Sequence, residues 1–396
     1  MKVLQLCLKV PFPASDGGCI AMHNMQKSWW KNGVTVKVLT FNTIKHLVDL
    51  QALPADYLAN TSIEGVFLDN HIKPLNALKA LFAGESYNIK RFVSSDFEEK
   101  LKSVLGSNQY DVVQLESLYM APYIETIRTA SNAKIVFRPH NIEYKIWERL
   151  AINTINPIKK VYLRILTKQL KKFEQLVLNK VDLLLPLTWE DAQILTQMHC
   201  RKSMMVLPIG VAIHDYPTPI QPNNQVVFHL GAMDWLPNVE GIRWLVRKVW
   251  PLVIKENKNA VLSLAGKGMP SDLLGLNSKN IQVSDFIADA PGFFNAGQVM
   301  VVPLLSGSGM RVKIIEGMAM GKAIVTTTIG KEGILAKHQK ELLIADSPEE
   351  FAAAIVQLLN DPVKVGQIGK KARELIHTRY DLRFLGKKWK EFVENN

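Results

Sequence analysis

Along the chain, short apolar runs alternate with longer stretches in which apolar residues recur three and four positions apart. Such alternation predicts strands laid parallel and joined by helices. Residues 1–10 read as a first strand, ended by a loop holding Pro11, Pro13, Asp16, Gly17 and Gly18. A helix over 20–31, stopped by Asn32-Gly33, leads to a second strand over 34–41. Further strands are predicted at 111–115, 134–137 and 182–186. A second series holds strands at 226–230, 260–265, 281–283, 299–303, 323–326 and 342–344, with helices at 239–256, 312–320 and 348–360. Leu207-Pro208-Ile209-Gly210 separates the two series. The expectation is an α/β chain of two doubly wound domains, 1–207 and 208–375, facing one another. Residues 376–396 are expected to form a helix that crosses back to the first domain. Ligands of such sheets bind outside the carboxyl ends of the strands. Four loops therefore matter: 11–18, 138–141, 231–238 and 305–313.

Length and composition leave this picture intact and narrow the rest. At roughly 100–200 residues per domain, 396 residues accommodate two cores. Cys7, Cys19 and Cys200 are too few for a disulfide framework or a zinc motif, which points to a reducing, cytoplasmic compartment. The longest apolar runs, such as 299–305, fall short of the roughly 18–20 residues of a membrane span. Lys9, Pro11 and Pro13 interrupt the first apolar stretch, so no signal peptide is expected. The unusual feature is charge: 48 Lys+Arg against 36 Asp+Glu, a net +12. It calls for an anionic partner: nucleic acid, a nucleotide or an anionic membrane surface.

The strongest chemical signal is the run from Ser306 through Gly307, Ser308, Gly309, Met310, Arg311 and Lys313 to Glu316, directly after an apolar strand. Small residues let backbone approach a ligand, and a helix N-terminus presents N–H groups to phosphate. Arg311 and Lys313 place positive charge in a first helical turn, against the helix dipole. That placement makes sense if an anion occupies the site; the bland alternative is a Gly-rich turn with solvated charges. Glu316, one turn on, is placed to accept hydrogen bonds from sugar or ribose hydroxyls. The run is no dinucleotide fingerprint, because Val312 stands where a third Gly belongs, and no Walker loop. Two Asp residues are nowhere spaced Asp-x-Asp, and no His-Glu-x-x-His or Cys-x-x-Cys occurs, so no metal is expected.

The block 307–322, with Val325-Thr326-Thr327 and Gly330-Lys331-Glu332-Gly333, resembles retaining family-4 glycosyltransferases of the GT-B fold. The resemblance extends to Tyr110 through Glu116, Arg138-Pro139-His140-Asn141, Pro208 through Val211, Gly231 through Asn238 and Asp285 through Asp289. It implies transfer of a sugar, with retention, from a nucleotide-diphosphate sugar to a hydroxyl of a saccharide or lipid-linked acceptor, in bacterial surface polysaccharide or glycolipid synthesis. It places Glu316 on donor ribose, Ser308 to Met310 on phosphate and sugar, Gly17 and Gly18 near the donor phosphates, and His140 near the reacting sugar. No cofactor beyond the donor is implied. Two departures stand out. Ser308 replaces the first of the family's two glutamates, and the Arg and Lys usual after the first strand of the second domain are missing near Gly231 and Asn238. Arg311, Lys313 and Lys267 are the substitute cations. Alternatives are a GT-B nucleotide-sugar epimerase or phosphorylase, and an inactive scaffold.

Residues 159–180 carry seven basic residues and one acid, Glu174, with apolar Ile158, Val161, Tyr162, Ile165, Leu166, Phe173, Leu176 and Val177 at helical spacing. Such a helix either packs its apolar face on the first domain or lies on anionic lipid, peripheral to the inner face of a membrane. A second basic region, 71–102, falls on the acceptor side in the resembled family. No helix-turn-helix, zinc finger or RNP pattern appears, so nucleic acid is not an expected partner.

Overall fold

The computed structural model describes residues 1–14, 16–216, 222–233, 235–307 and 309–396. The first of its two all-parallel sheets comprises β1 (Lys2–Cys7), β2 (Thr35–Thr43), β3 (Glu64–Leu68), β4 (Val112–Leu115), β5 (Lys134–Phe137), β6 (Leu183–Leu184) and β7 (Ser203–Met204). They run in the order β3-β2-β1-β4-β5-β6-β7. The second comprises β8 (Val226–Leu230), β9 (Val261–Ala265), β10 (Ile281–Ser284), β11 (Val299–Val302), β12 (Ala323–Thr326) and β13 (Leu343–Ile344), ordered β10-β9-β8-β11-β12-β13. The order reverses at β1/β4 and at β8/β11. These are the switch points where crossovers leave in opposite directions and open a crevice.

Central strands are fully buried along their length: Val112–Leu115, Val299–Val302 and Ala323–Thr326 expose nothing. Helices cover both sheet faces, so these strands read as largely apolar runs, interrupted only by the buried Gln114 and Thr326. The two strands not anticipated, β3 and β7, are edges. In β3 only Val66-Phe67-Leu68 is apolar, and β7 has two residues, so neither leaves a run long enough to signal a strand. The helix expected at 239–256 divides into Leu236–Trp244, a π turn at Leu245–Val249 and Trp250–Glu256. Pro251 lacks an N–H and would clash with the carbonyl four residues back, which accounts for the wider turn there.

The chain divides into two compact units, Met1–Pro208 with Leu385–Asn396, and Ile209–Phe384. The break expected at 376 falls inside the helix Pro362–Arg379. Ile376 and Tyr380 are buried, and Tyr380 ties down both sides of the second unit. Its carbonyl accepts from Val211 N–H at 2.8 Å and its hydroxyl from Leu335 N–H at 2.9 Å. The first unit is completed only from Leu385. There Gly386 allows close approach, since a Cβ would lie 2.5 Å from Ser28 Oγ. Trp389 is buried edge-to-face against Trp29, with centroids 5.1 Å apart.

The basic helix spans Pro157–Leu178, so Lys180 lies beyond it, paired with Glu125. Its packed stripe is Leu163, Leu166, Leu170, Glu174, Val177 and Leu178. Ile158, Val161 and Ile165, part of the apolar spacing read from the sequence, are exposed, Ile158 by 82%. Among the described residues, no helix is long and apolar enough to cross a membrane.

Candidate active site

The loop after β11 turns through Gly307 (φ +106°) and Gly309 (φ +82°), conformations that only glycine adopts without cost. A Cβ on Gly307 would also press within 3.1 Å of Arg311 and Trp235. The helix Val312–Ala319 then begins with Arg311 as its extended N-cap residue, no side-chain cap and no acid in its first turn. Its N–H end is therefore open to an anion. Arg311 is 6% exposed; its Nη1 donates to Gly309 O at 2.8 Å and its guanidinium lies over Trp235 at 5.2 Å. These contacts hold the loop's shape.

Lys313 reaches from this helix to the end of β8 and to the helix that follows it. Its Nζ donates to Asn238 Oδ1 at 2.9 Å and stands 3.5 Å from His229 Nε2. His229 Nδ1 lies 2.8 Å from the Val301 carbonyl, which only accepts, so Nδ1 carries the proton and Nε2 offers its lone pair to the lysine. Burial, with the Lys313 charge, holds this imidazole well below its ordinary pKa and so neutral. Gly231 makes the room: a Cβ there would fall 2.2 Å from Lys313 Nζ. Burial, then Arg311, lowers the Lys313 pKa to about 7. Glu316, one turn along, is raised to about 7 by burial, against a 3.4 Å hydrogen bond from the Tyr216 hydroxyl and the pull of Lys313. Gly241 lets the helix Leu236–Trp244 sit hard against the β11 loop, since a Cβ would meet Pro303 O at 2.1 Å.

The first unit gathers charge differently. Glu116, just past β4, is wholly buried. Its Oε1 accepts from Gln5 at 2.8 Å and Gln114 at 2.6 Å, and its Oε2 from Arg138 at 3.1 Å and His140 Nε2 at 2.7 Å. Burial alone would raise its pKa; Arg138, His140 and Gln5 outweigh that and hold it near about 2. His140 is drawn below its ordinary value by burial, against the pull of Glu116. A neutral His140 therefore carries its proton on Nε2 and keeps Nδ1 as an acceptor. Trp389 Nε1 donates to Gln114 Oε1 at 2.9 Å, linking the C-terminal helix to this network. In the loop after β1, Asp16 caps the helix Gly17–Trp30, accepting from Gly18 N at 2.9 Å and Cys19 N at 3.0 Å, and pairs with Lys9.

Of the residues the sequence singled out, Gly231, Gly309, Met310, Arg311, Lys313 and Glu316 belong to the β8/β11 switch point. Ser308 lies outside the described residues. Lys267 does not join the buried cluster: its side chain is exposed, and only its carbonyl serves the site, accepting from Met233 N–H at 2.8 Å. Gly18 also departs from expectation, because its N–H is already taken by Asp16. His140 stands in the first unit, its side chain 11% exposed beside Glu116. Sequence reasoning assigned no role to Glu116, Lys9, Tyr216 or His229. His229 had a signal, an imidazole inside the buried run Val226–Leu230, and Glu116 another, a carboxylate closing an apolar strand. Tyr216 had none. Among the described residues, no group of three or more His, Cys, Asp and Glu is arranged to hold a metal.

Two Rossmann-like units of this topology make the GT-B fold. Two solved structures share it over the whole chain. They are sucrose-phosphate synthase from Thermosynechococcus elongatus (TM-score 0.73, 14% identity, 100% of this chain and 99% of that one) and Anabaena HepE in complex with UDP (TM-score 0.71, 15% identity, 100% of each). Residues 224–361, most of the second unit, match the family model for Glycosyl transferases group 1. Among sequence relatives, an uncharacterized 44.6 kDa protein of the Klebsiella pneumoniae cps region is 24% identical over 71% of this chain and 74% of its own length. The poly(ribitol-phosphate) alpha-N-acetylglucosaminyltransferase of Staphylococcus aureus is 23% identical over 56% of this chain and 46% of its own.

Proposed function

We propose that the protein is a retaining glycosyltransferase of the family-4 type. It moves a sugar from a nucleotide-diphosphate donor to a hydroxyl of a bacterial surface polysaccharide or lipid-linked acceptor, without a metal. The observation that carries the reading is the open N-terminus of Val312–Ala319 with Lys313 seated in the room that Gly231 leaves. As the bond between the anomeric carbon and the diphosphate breaks, negative charge grows on the leaving group. Lys313, Arg311 and the helix N-terminus are placed to stabilise it. Glu316 grips the ribose hydroxyls, and Tyr216 orients it. A uridine nucleotide is the first donor to try, since HepE is described with UDP and with UDP-glucose. His140, held by Glu116, serves the acceptor and reacting-sugar side. Incubation with UDP-sugars tests the reading: nucleotide release that depends on acceptor supports transfer, and an inverted product anomer would overturn retention.

The exposed Ile158, Val161 and Ile165 beside Lys159, Arg164 and Lys168 fit the headgroup zone of an anionic membrane, reached from the cytoplasmic side. Reversing those three charges should abolish flotation with phosphatidylglycerol vesicles while donor affinity stays put. Undiminished flotation would reduce the helix to a packing element.

A further inference from the structure

We infer that Glu174, on the packed stripe of the basic helix, is a positioning residue for His140. It fixes the turn that follows the histidine and so keeps the imidazole in place beside Glu116. The inference rests on the transferase reading only for the reaction that His140 serves. The helix Glu143–Asn153 begins three positions after His140, and its N-cap residue, Ile142, has no side chain that can accept the first N–H groups. Those groups are taken up from another helix. Glu174 accepts from Glu143 N at 3.1 Å through Oε1 and from Tyr144 N at 3.2 Å through Oε2, across 31 and 30 positions. A Ser or Asp at the N-cap would fasten the helix end only to itself. Glu174 fastens it to the helix Pro157–Leu178.

The same turn is held from the strand side. Tyr119, three positions past Glu116, donates its hydroxyl to Glu143 Oε2 at 3.0 Å and packs on Phe92, with ring centroids 4.7 Å apart. Residues 140–144 are therefore clamped at three points. Glu116 holds His140, Tyr119 holds the Glu143 side chain, and Glu174 holds the N–H groups of Glu143 and Tyr144. Glu143 and Glu174 are both buried, and burial pushes both carboxyls above their ordinary pKa range. Neither forms an ion pair among the described residues. A carboxyl buried without a cation costs more than an apolar side chain of its size. What Glu174 contributes is a fixed place for the His140 turn.

The test follows the His140 ring in the full-length protein by NMR of the imidazole nitrogens, with the signal assigned by comparison with His140→Gln. Glu174→Met removes both acceptors at nearly constant volume, Glu174→Gln keeps one, and Tyr119→Phe removes only the hydroxyl. Burial is the larger influence on His140 and holds its pKa down. In Glu174→Met the ring should gain access to water, so its pKa should rise toward the ordinary value of about 6.5. The Glu143 and Tyr144 amides should exchange faster. Glu174→Gln should restore part of the wild-type titration, and Tyr119→Phe should shift it in the same direction by less. With a donor and acceptor that the wild type turns over, kcat should fall about tenfold or more in Glu174→Met, while donor KM stays within about twofold. A role in stability alone would lower Tm and leave the His140 titration of the folded variants unmoved, and that result overturns the proposal. If Glu174→Met does not fold, Glu174→Gln and Tyr119→Phe decide by the same titration. A shifted titration with unchanged kcat upholds the positioning and removes His140 from the proposed reaction. If the wild type transfers no sugar, the transferase reading falls, and the titration still decides whether Glu174 positions His140.

Discussion

Two helices begin at the switch points of this molecule, and their N-termini are finished in opposite ways. Gly17–Trp30 is closed by its own carboxylate: Asp16 accepts from Gly18 and Cys19 and is itself paired with Lys9. Val312–Ala319 has no such cap and carries Arg311 and Lys313 where a carboxylate would be favoured. The buried charges follow the same division. Glu116 accepts four hydrogen bonds and stays ionised far below neutrality, whereas Lys313 and Glu316 are shifted from opposite directions to about 7. A network that satisfies itself fixes geometry. One that leaves positive ends open is stabilised by an anion from outside. Under the proposed function, the donor diphosphate is expected at the second unit's open helix end and a positioning role falls to the buried network of the first.

The severest way to break that comparison is to give the second helix the finish of the first. Arg311→Asp supplies an N-cap carboxylate, an arrangement worth about 1 kcal/mol to a helix. It also fills the anion position with fixed negative charge. Donor affinity by calorimetry should fall by more than about 100-fold while the far-UV spectrum stays native. Lys313→Met removes one cation and should weaken the donor by about 10- to 100-fold, the range for a charged hydrogen bond. A diphosphate needs the ammonium, so binding at pH 7–8 should take up a proton, seen as a buffer-dependent enthalpy. Because the Lys313 pKa is depressed to about 7, affinity falls as pH rises above 7. Because the Glu316 pKa is raised to about 7, its carboxylate is lost as pH falls below 7, and affinity falls there too. The profile is a bell near neutrality, and Lys313→Met should erase its alkaline limb.

Gly231→Ala sharpens the comparison further. The added methyl meets the flexible tip of Lys313 rather than backbone, so the fold should survive and donor affinity drop about tenfold. An unchanged affinity would mean that Lys313 acts from some other position. The smallest effect belongs to Trp389→Phe, which keeps the ring but removes the donor to Gln114. It should shift the acid limb of the kcat profile and leave donor affinity within about twofold, as expected of a group acting only through Glu116 and His140.

Much of the fold and part of the site are legible in the residues alone. Runs such as Val226–Leu230 and Val299–Val302 announce buried parallel strands, because a strand covered on both faces has no polar side to show. Gly307, Gly309, Arg311 and Lys313 mark the proposed anion site in the sequence, because glycine spacing and misplaced basic residues are local properties. Edge strand β3 is hidden because its apolar run is only Val66-Phe67-Leu68, preceded by Glu64 and Gly65. Ile158, Val161 and Ile165 show helical spacing, but spacing does not say whether a stripe meets protein or is left exposed.

The chain by itself determined the α/β class, the two series of strands and which loops are candidates for the chemistry, since each depends on residues near in sequence. Only the tertiary structure decided which charges share a site. Lys313 meets Asn238 and His229 across 75 and 84 positions because β8 and β11 are neighbours in the sheet. Glu116 joins Gln5, Arg138, His140 and, through Gln114, Trp389 for the same kind of reason. Sheet order is a global property of packing, and it made the glycine at 231, rather than a cation there, the feature that seats the lysine.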